Sequence, residues 1–128
     1  MTPAVFVAVA VAGGLGACLR LLVEDMTGRR RPSEIPWGMM AVNLSGSGAL
    51  GFLTGLGVGI AGPDDGALVS VLGIGLLGGY TTFGSASVTT ARLLTQGRMA
   101  AGLIAGPGML LLGIALAAIG WWGAAWLT

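Results

Sequence analysis

Four stretches of this chain run long and apolar with Arg20 as the one charge inside them: Pro3 to Val23, Trp37 to Ala61, Ala67 to about Ala91, and Ala100 to Leu127. A helix needs about 20 mostly apolar residues to cross a bilayer. Each stretch meets that length, and none has the polar alternation of a membrane barrel strand. Charged residues make up 9% of the chain, too few to coat a soluble domain, which normally carries about 25%. The sequence therefore predicts an all-α membrane protein, a single transmembrane domain over residues 1–128 with four transmembrane helices. Met1 to Val11 lacks the basic start of a signal peptide, so this segment reads as the first membrane helix.

The connections are short. Glu24 to Pro36 is a polar loop with Arg29, Arg30 and Arg31. Pro63-Asp64-Asp65-Gly66 reads as a tight turn, because proline presets one dihedral and glycine tolerates the next. Leu93 to Met99 carries Gln96, Gly97 and Arg98. Trp37 opens the second span and Trp121, Trp122 and Trp126 close the fourth, where indoles favour the headgroup layer.

All six basic side chains, Arg20, Arg29, Arg30, Arg31, Arg92 and Arg98, fall at the side of the first and third connections. The positive-inside rule puts those loops in the cytoplasm and both termini outside, in a plasma or inner cell membrane. An asymmetry this complete also argues against insertion in both orientations.

Chemistry is limited by what is missing. The chain has no histidine and one cysteine, Cys18, which reads as a small packing residue. No nucleophile–base pair or metal-ligand set is visible, so an enzyme is not expected, and neither is a nucleic-acid partner. A four-helix proton-coupled drug exporter needs a carboxylate within the membrane, yet Glu24, Asp25, Glu34, Asp64 and Asp65 all lie in connections.

Glycine is abundant, with 25 residues. Ser47, Gly51, Gly55 and Gly59 recur every four positions, a stripe against which another helix backbone can pack closely. Gly73-Ile-Gly75-Leu-Leu-Gly78 matches a dinucleotide fingerprint only in letters, since it lies inside a span with no acid after it. Gly78-Gly79-Tyr80-Thr81-Thr82-Phe83-Gly84-Ser85 lies near the middle of the third span and predicts a break. Broken helices put free carbonyls and positive helix ends at ion-binding depth. The competing reading is a kink whose hydroxyls bond back to their own helix. Asn43, deep in the second span, needs a partner in hydrocarbon. A neighbouring helix and an ion path both fit it. Arg20, one turn before Glu24, reads as snorkelling and locally paired.

These residues together resemble the small four-helix fluoride channels called Fluc or CrcB. Gly13-Gly14-Leu15-Gly16-Ala17-Cys18-Leu19-Arg20 is similar to the family's Gly-Gly-x-Gly-Ala-x-x-Arg. Val42-Asn43-Leu44-Ser45-Gly46-Ser47 is similar to Val-Asn-x-x-Gly-Ser, and Gly78 to Phe83 to Gly-Gly-x-Thr-Thr-Phe. The resemblance implies an antiparallel dimer in the lipid bilayer, two narrow pores at the subunit interface, and passive exit of fluoride from the cell. It implies a structural sodium ion at the dimer centre, on backbone carbonyls that fall here on Gly78 and Thr81. Phe83 matches the first of two pore phenylalanines, Asn43 the pore asparagine, and Arg20 the vestibule arginine. Thr82 and Ser85 could add hydroxyl donors to the fluoride path, and a ring edge such as that of Phe83 is electropositive.

The chain also departs from that pattern. Ala86 stands where the second phenylalanine is usual, Gly84 where a serine is usual, and Gly48 where a phenylalanine is usual. No Ser, Thr or Tyr occurs from Gly102 to Gly120. With the arginine asymmetry, this predicts one half of a heterodimer, the partner being a related sister chain of opposite bias, with a homodimer or a non-conducting subunit as the other readings.

Overall fold

The computed structural model describes residues 1–28, 35–60 and 65–128. Arg29 to Arg31, and Pro63 and Asp64 of the expected turn, lie outside the described residues. Helix α1 is Pro3–Gly28 and α2 is Trp37–Ile60. The third span has two parts: α3 over residues 65–80 and α4, Gly84–Thr95. Helix α5 covers residues 99–125. Among the described residues there is no strand, and four segments are long and apolar enough to cross a membrane: Pro3–Gly28, Trp37–Gly57, Gly66–Thr95 and Met99–Ala125.

Helix α1 runs five residues past Val23 into its polar end. Helical hydrogen bonding does not stop where hydrocarbon stops, and the Thr27 hydroxyl bonds back to the Val23 carbonyl. Helix α4 ends at Gly97, whose φ of 77° lets Arg98 N–H reach back to the Leu93 carbonyl at 2.9 Å.

Glycine decides which helices meet. Helix α2 packs most extensively on α5. A Cβ on Gly51 would overlap the Ala117 carbonyl, and one on Gly55 would lie 2.6 Å from the Trp121 carbonyl. The small-residue stripe is thus a backbone-to-backbone seam. In hydrocarbon such seams replace the hydrophobic effect, which gives no drive between helices already in lipid. Helix α1 packs on α3 in the same way: a Cβ on Gly16 would overlap the Leu76 carbonyl, and one on Gly79 the Gly13 carbonyl. Of the glycine fingerprint, buried Gly75 lies in this seam against Val9 and Ala12, while buried Gly73 faces Leu50 and Leu53 of α2.

Two segments widen into π-helix, Ser70–Leu77 and Ile104–Gly108. The second contains Pro107, which has no N–H to give. A wider turn is one way a helix carries a proline without separating. Met39, Met40, Ala86, Leu93, Ala101, Ala105 and Met109 form the buried cluster that joins α2, α4 and α5.

Candidate functional site at the break in the third span

The third span breaks at residues 81–83. Thr81 is extended, with φ −78° and ψ 160°, and α4 starts afresh at Gly84. Local sequence gives the start of an explanation, because paired glycines weaken a helix. The rest comes from α2. Asn43 Oδ1 accepts the Thr82 N–H at 2.8 Å. In an unbroken helix that N–H would serve the Gly78 carbonyl. The Ser85 N–H, whose helical acceptor would be the Thr81 carbonyl, is 3.3 Å from Thr82 Oγ1 instead. The break therefore exchanges two helical bonds for two side-chain bonds, and it frees the carbonyls of Gly78 and Thr81 from those donors.

Those are the two carbonyls that the resemblance pairs with sodium. Oxygen ligands suit a hard cation, and the carbonyl end of α3 is the negative end of its dipole. The residues present fit the ion. The opposing end, the N-terminus of α4, is positive and suits an anion. One break offers both signs of charge within a few residues.

Asn43 bonds to two neighbouring segments. Its Oδ1 ties α2 to the third span, and its Nδ2 donates to Met109 Sδ of α5 at 3.6 Å. A thioether is a weak acceptor, so the amide keeps donor capacity on the side of the adjoining groove.

That groove, about 620 Å³, runs between α2, the break, α4 and α5. Asn43, Thr82 and Phe83 line it together with Ser47, Ser87 and Thr90. Phe83 is 85% exposed, a whole aromatic ring projecting from the break without cover from its own chain. Thr90 Oγ1 is buried without a hydrogen-bond partner. The fourth span adds no hydroxyl residue to the groove, and Ser87 and Thr90 of α4 line it instead, the Ser87 hydroxyl donating to the Phe83 carbonyl at 2.9 Å. Sequence reasoning missed both. The signal was their spacing from Phe83, four and seven residues on, which is one face of a helix that starts at Gly84.

Ser85 is separated from this group. It lines a second pocket of about 310 Å³ with Glu24, Trp37 and Thr89, on another face of α4. Arg20 is half-buried and lines neither pocket. Among the described residues no hydrogen bond or ion pair joins it to Glu24. Ala86 is 7% exposed and packs in the buried cluster while its methyl edges the groove. Gly84 has open space where a side chain would stand, and Gly48 faces Leu116 of α5.

Residues 7–121 match the family described as CrcB-like protein, Camphor Resistance (CrcB). The chain belongs to the CrcB family. It is 43% identical over 122 residues to a protein of Leifsonia xyli named fluoride-specific ion channel FluC 1, covering 95% of this chain and 88% of that one. It is 37% identical over 122 residues to fluoride-specific ion channel FluC 2 of Mycobacterium tuberculosis strain H37Rv, covering 95% and 92%. A FluC protein of Rhodospirillum centenum is 43% identical over 94 residues, 73% of this chain and 74% of its own. As a CrcB protein with four apolar helices, the chain is a multi-pass membrane protein.

Proposed function

We propose that this chain is a subunit of a fluoride-selective channel through which fluoride leaves the cytoplasm passively. The observation that carries the reading is the break. An amide fixed by the Thr82 N–H and an exposed ring at Phe83 share one groove, which Ser87 and Thr90 also line. Fluoride is small and strongly hydrated, so a selective path must supply close donors in place of water. Several weak sites in series let the ion leave again. The family and the names of its relatives support the same ion.

The groove is open along one side, and Phe83 projects from its edge. A second subunit, antiparallel to the first, completes the path. Sodium, held by the Gly78 and Thr81 carbonyls of both subunits, fixes the centre of the dimer. The arginine loops face the cytoplasm and the termini face outside. Because all six arginines favour one orientation, the partner is a related chain of opposite bias.

Fluoride efflux from liposomes, read with a fluoride electrode, tests this. The chain alone is expected to release none, and co-reconstitution with an oppositely biased sister is expected to release fluoride while chloride stays. Release by the chain alone overturns the heterodimer. No release with any sister favours a second reading, a non-conducting subunit. The specific observation behind that reading is Ala86, which brings only a methyl to the groove where the family usually has a second ring.

A further inference from the structure

Helix α2 grips the break at a second point. Ser45 Oγ and the Tyr80 hydroxyl are 2.9 Å apart, and Ser45 Oγ donates to the Val42 carbonyl at 3.2 Å. With its proton committed there, Ser45 accepts, so Tyr80 donates. Tyr80 is 9% exposed, and it immediately precedes the extended Thr81. Both its ring and its backbone are closely packed: a Cβ on Gly46 would come within 3.2 Å of Tyr80 Cδ1, and one on Gly16 within 2.9 Å of the Tyr80 backbone N. Neither Tyr80 nor Ser45 lines the groove.

The geometry points to Tyr80 and Ser45 as a positioning pair. Asn43 holds the residue after Thr81, and Ser45 holds the residue before it, through two side chains two residues apart on α2. Asn43 orients the Thr81–Thr82 peptide, since the Thr82 N–H it holds and the Thr81 carbonyl share one plane, and the Ser45–Tyr80 bond anchors the helical turn from which that peptide hangs. The backbone on the Tyr80 side is still helical, with the Thr81 N–H bonded to the Leu77 carbonyl at 2.9 Å, and the clasp ties the end of that turn to α2. This inference rests on reading the break as the ion site, but the clasp itself can be tested without conduction.

The test uses the full chain in lipid nanodiscs, with amide exchange resolved by NMR. Tyr80→Phe and Ser45→Ala each remove one hydroxyl. Each is expected to speed exchange at Thr82 by roughly fivefold to tenfold, the effect of one lost hydrogen bond. The double variant is expected to add nothing further, because the two hydroxyls act as one unit. Ser45→Thr keeps the hydroxyl and is expected to restore the wild-type rate. Exchange at Leu93, far from the clasp, stays unchanged, which a general loss of stability would not allow. Unchanged exchange at Thr82 in both single variants, or effects that multiply in the double variant, would overturn the pair. In a fluoride-conducting assembly the same single variants should slow efflux. Absence of efflux from the wild type with every sister chain would sink the channel reading and leave the exchange result standing.

Discussion

The third and fourth spans both carry residues that disfavour an α-helix, and they respond differently. Pro107 sits in the fourth span between glycines, yet the chain there only widens into a π-turn over Ile104–Gly108 and continues as helix. The third span holds glycines at 73, 75, 78 and 79 and also stays helical through them, again by widening. It separates only at 81–83, where no proline occurs. What distinguishes that place is its neighbour. Asn43 offers an acceptor for the Thr82 N–H, and Ser45 offers one for the Tyr80 hydroxyl. Breaker residues alone do not open a helix in lipid, because the freed backbone groups would have no partner. A break forms where another helix supplies replacement bonds.

The largest expected effect comes from closing the space that makes the two helices meet. A Cβ on Gly46 would overlap the Thr81 methyl, so Gly46→Leu should drive α2 from the break. Size-exclusion chromatography should then show loss of the folded species. Asn43→Ala comes next. It leaves the Thr82 N–H unsatisfied at membrane depth, a cost of about 1–3 kcal/mol. Thermal unfolding should shift down, and efflux from a conducting assembly should fall. An Asn43→Ala protein as stable as wild type would break the comparison, since the third span would then hold its break without help.

Phe83→Ile separates function from folding. The ring is almost wholly exposed in the single chain, so the unfolding free energy of the chain should stay within about 0.5 kcal/mol of wild type. Fluoride efflux should drop at least tenfold if the ring edge faces the ion; equal efflux would remove Phe83 from the path. Pro107→Ala should do least. The widened turn already accommodates the proline, and a change in stability of less than about 1 kcal/mol is expected by thermal unfolding. A larger loss would mean that Pro107 shapes the groove wall and that the two spans are more alike than their geometry indicates.

Some of the site could be read before any coordinates. Asn43 stood out as an amide in hydrocarbon, and Gly78 to Ser85 as a poor helix. The structure shows Asn43 as a tie between helices, and it also lines the groove. The placement of Ser85 beside Glu24 and of Ser87 and Thr90 beside Phe83 was not legible. Helical phase is additive only while the helix continues. The dihedrals of residues 81–83 reset it, and they depend on bonds to α2.

The sequence by itself determined that four helices are long and apolar enough to cross a membrane, that the arginines gather at two of the connections, and roughly where the third weakens. Those properties come from sums over many residues: apolar length, arginine placement and glycine content. Tertiary structure alone decided where the helix opens and which hydroxyls face the groove. Each of those depends on one or two hydrogen bonds between residues about 40 positions apart, and no local pattern carries that information.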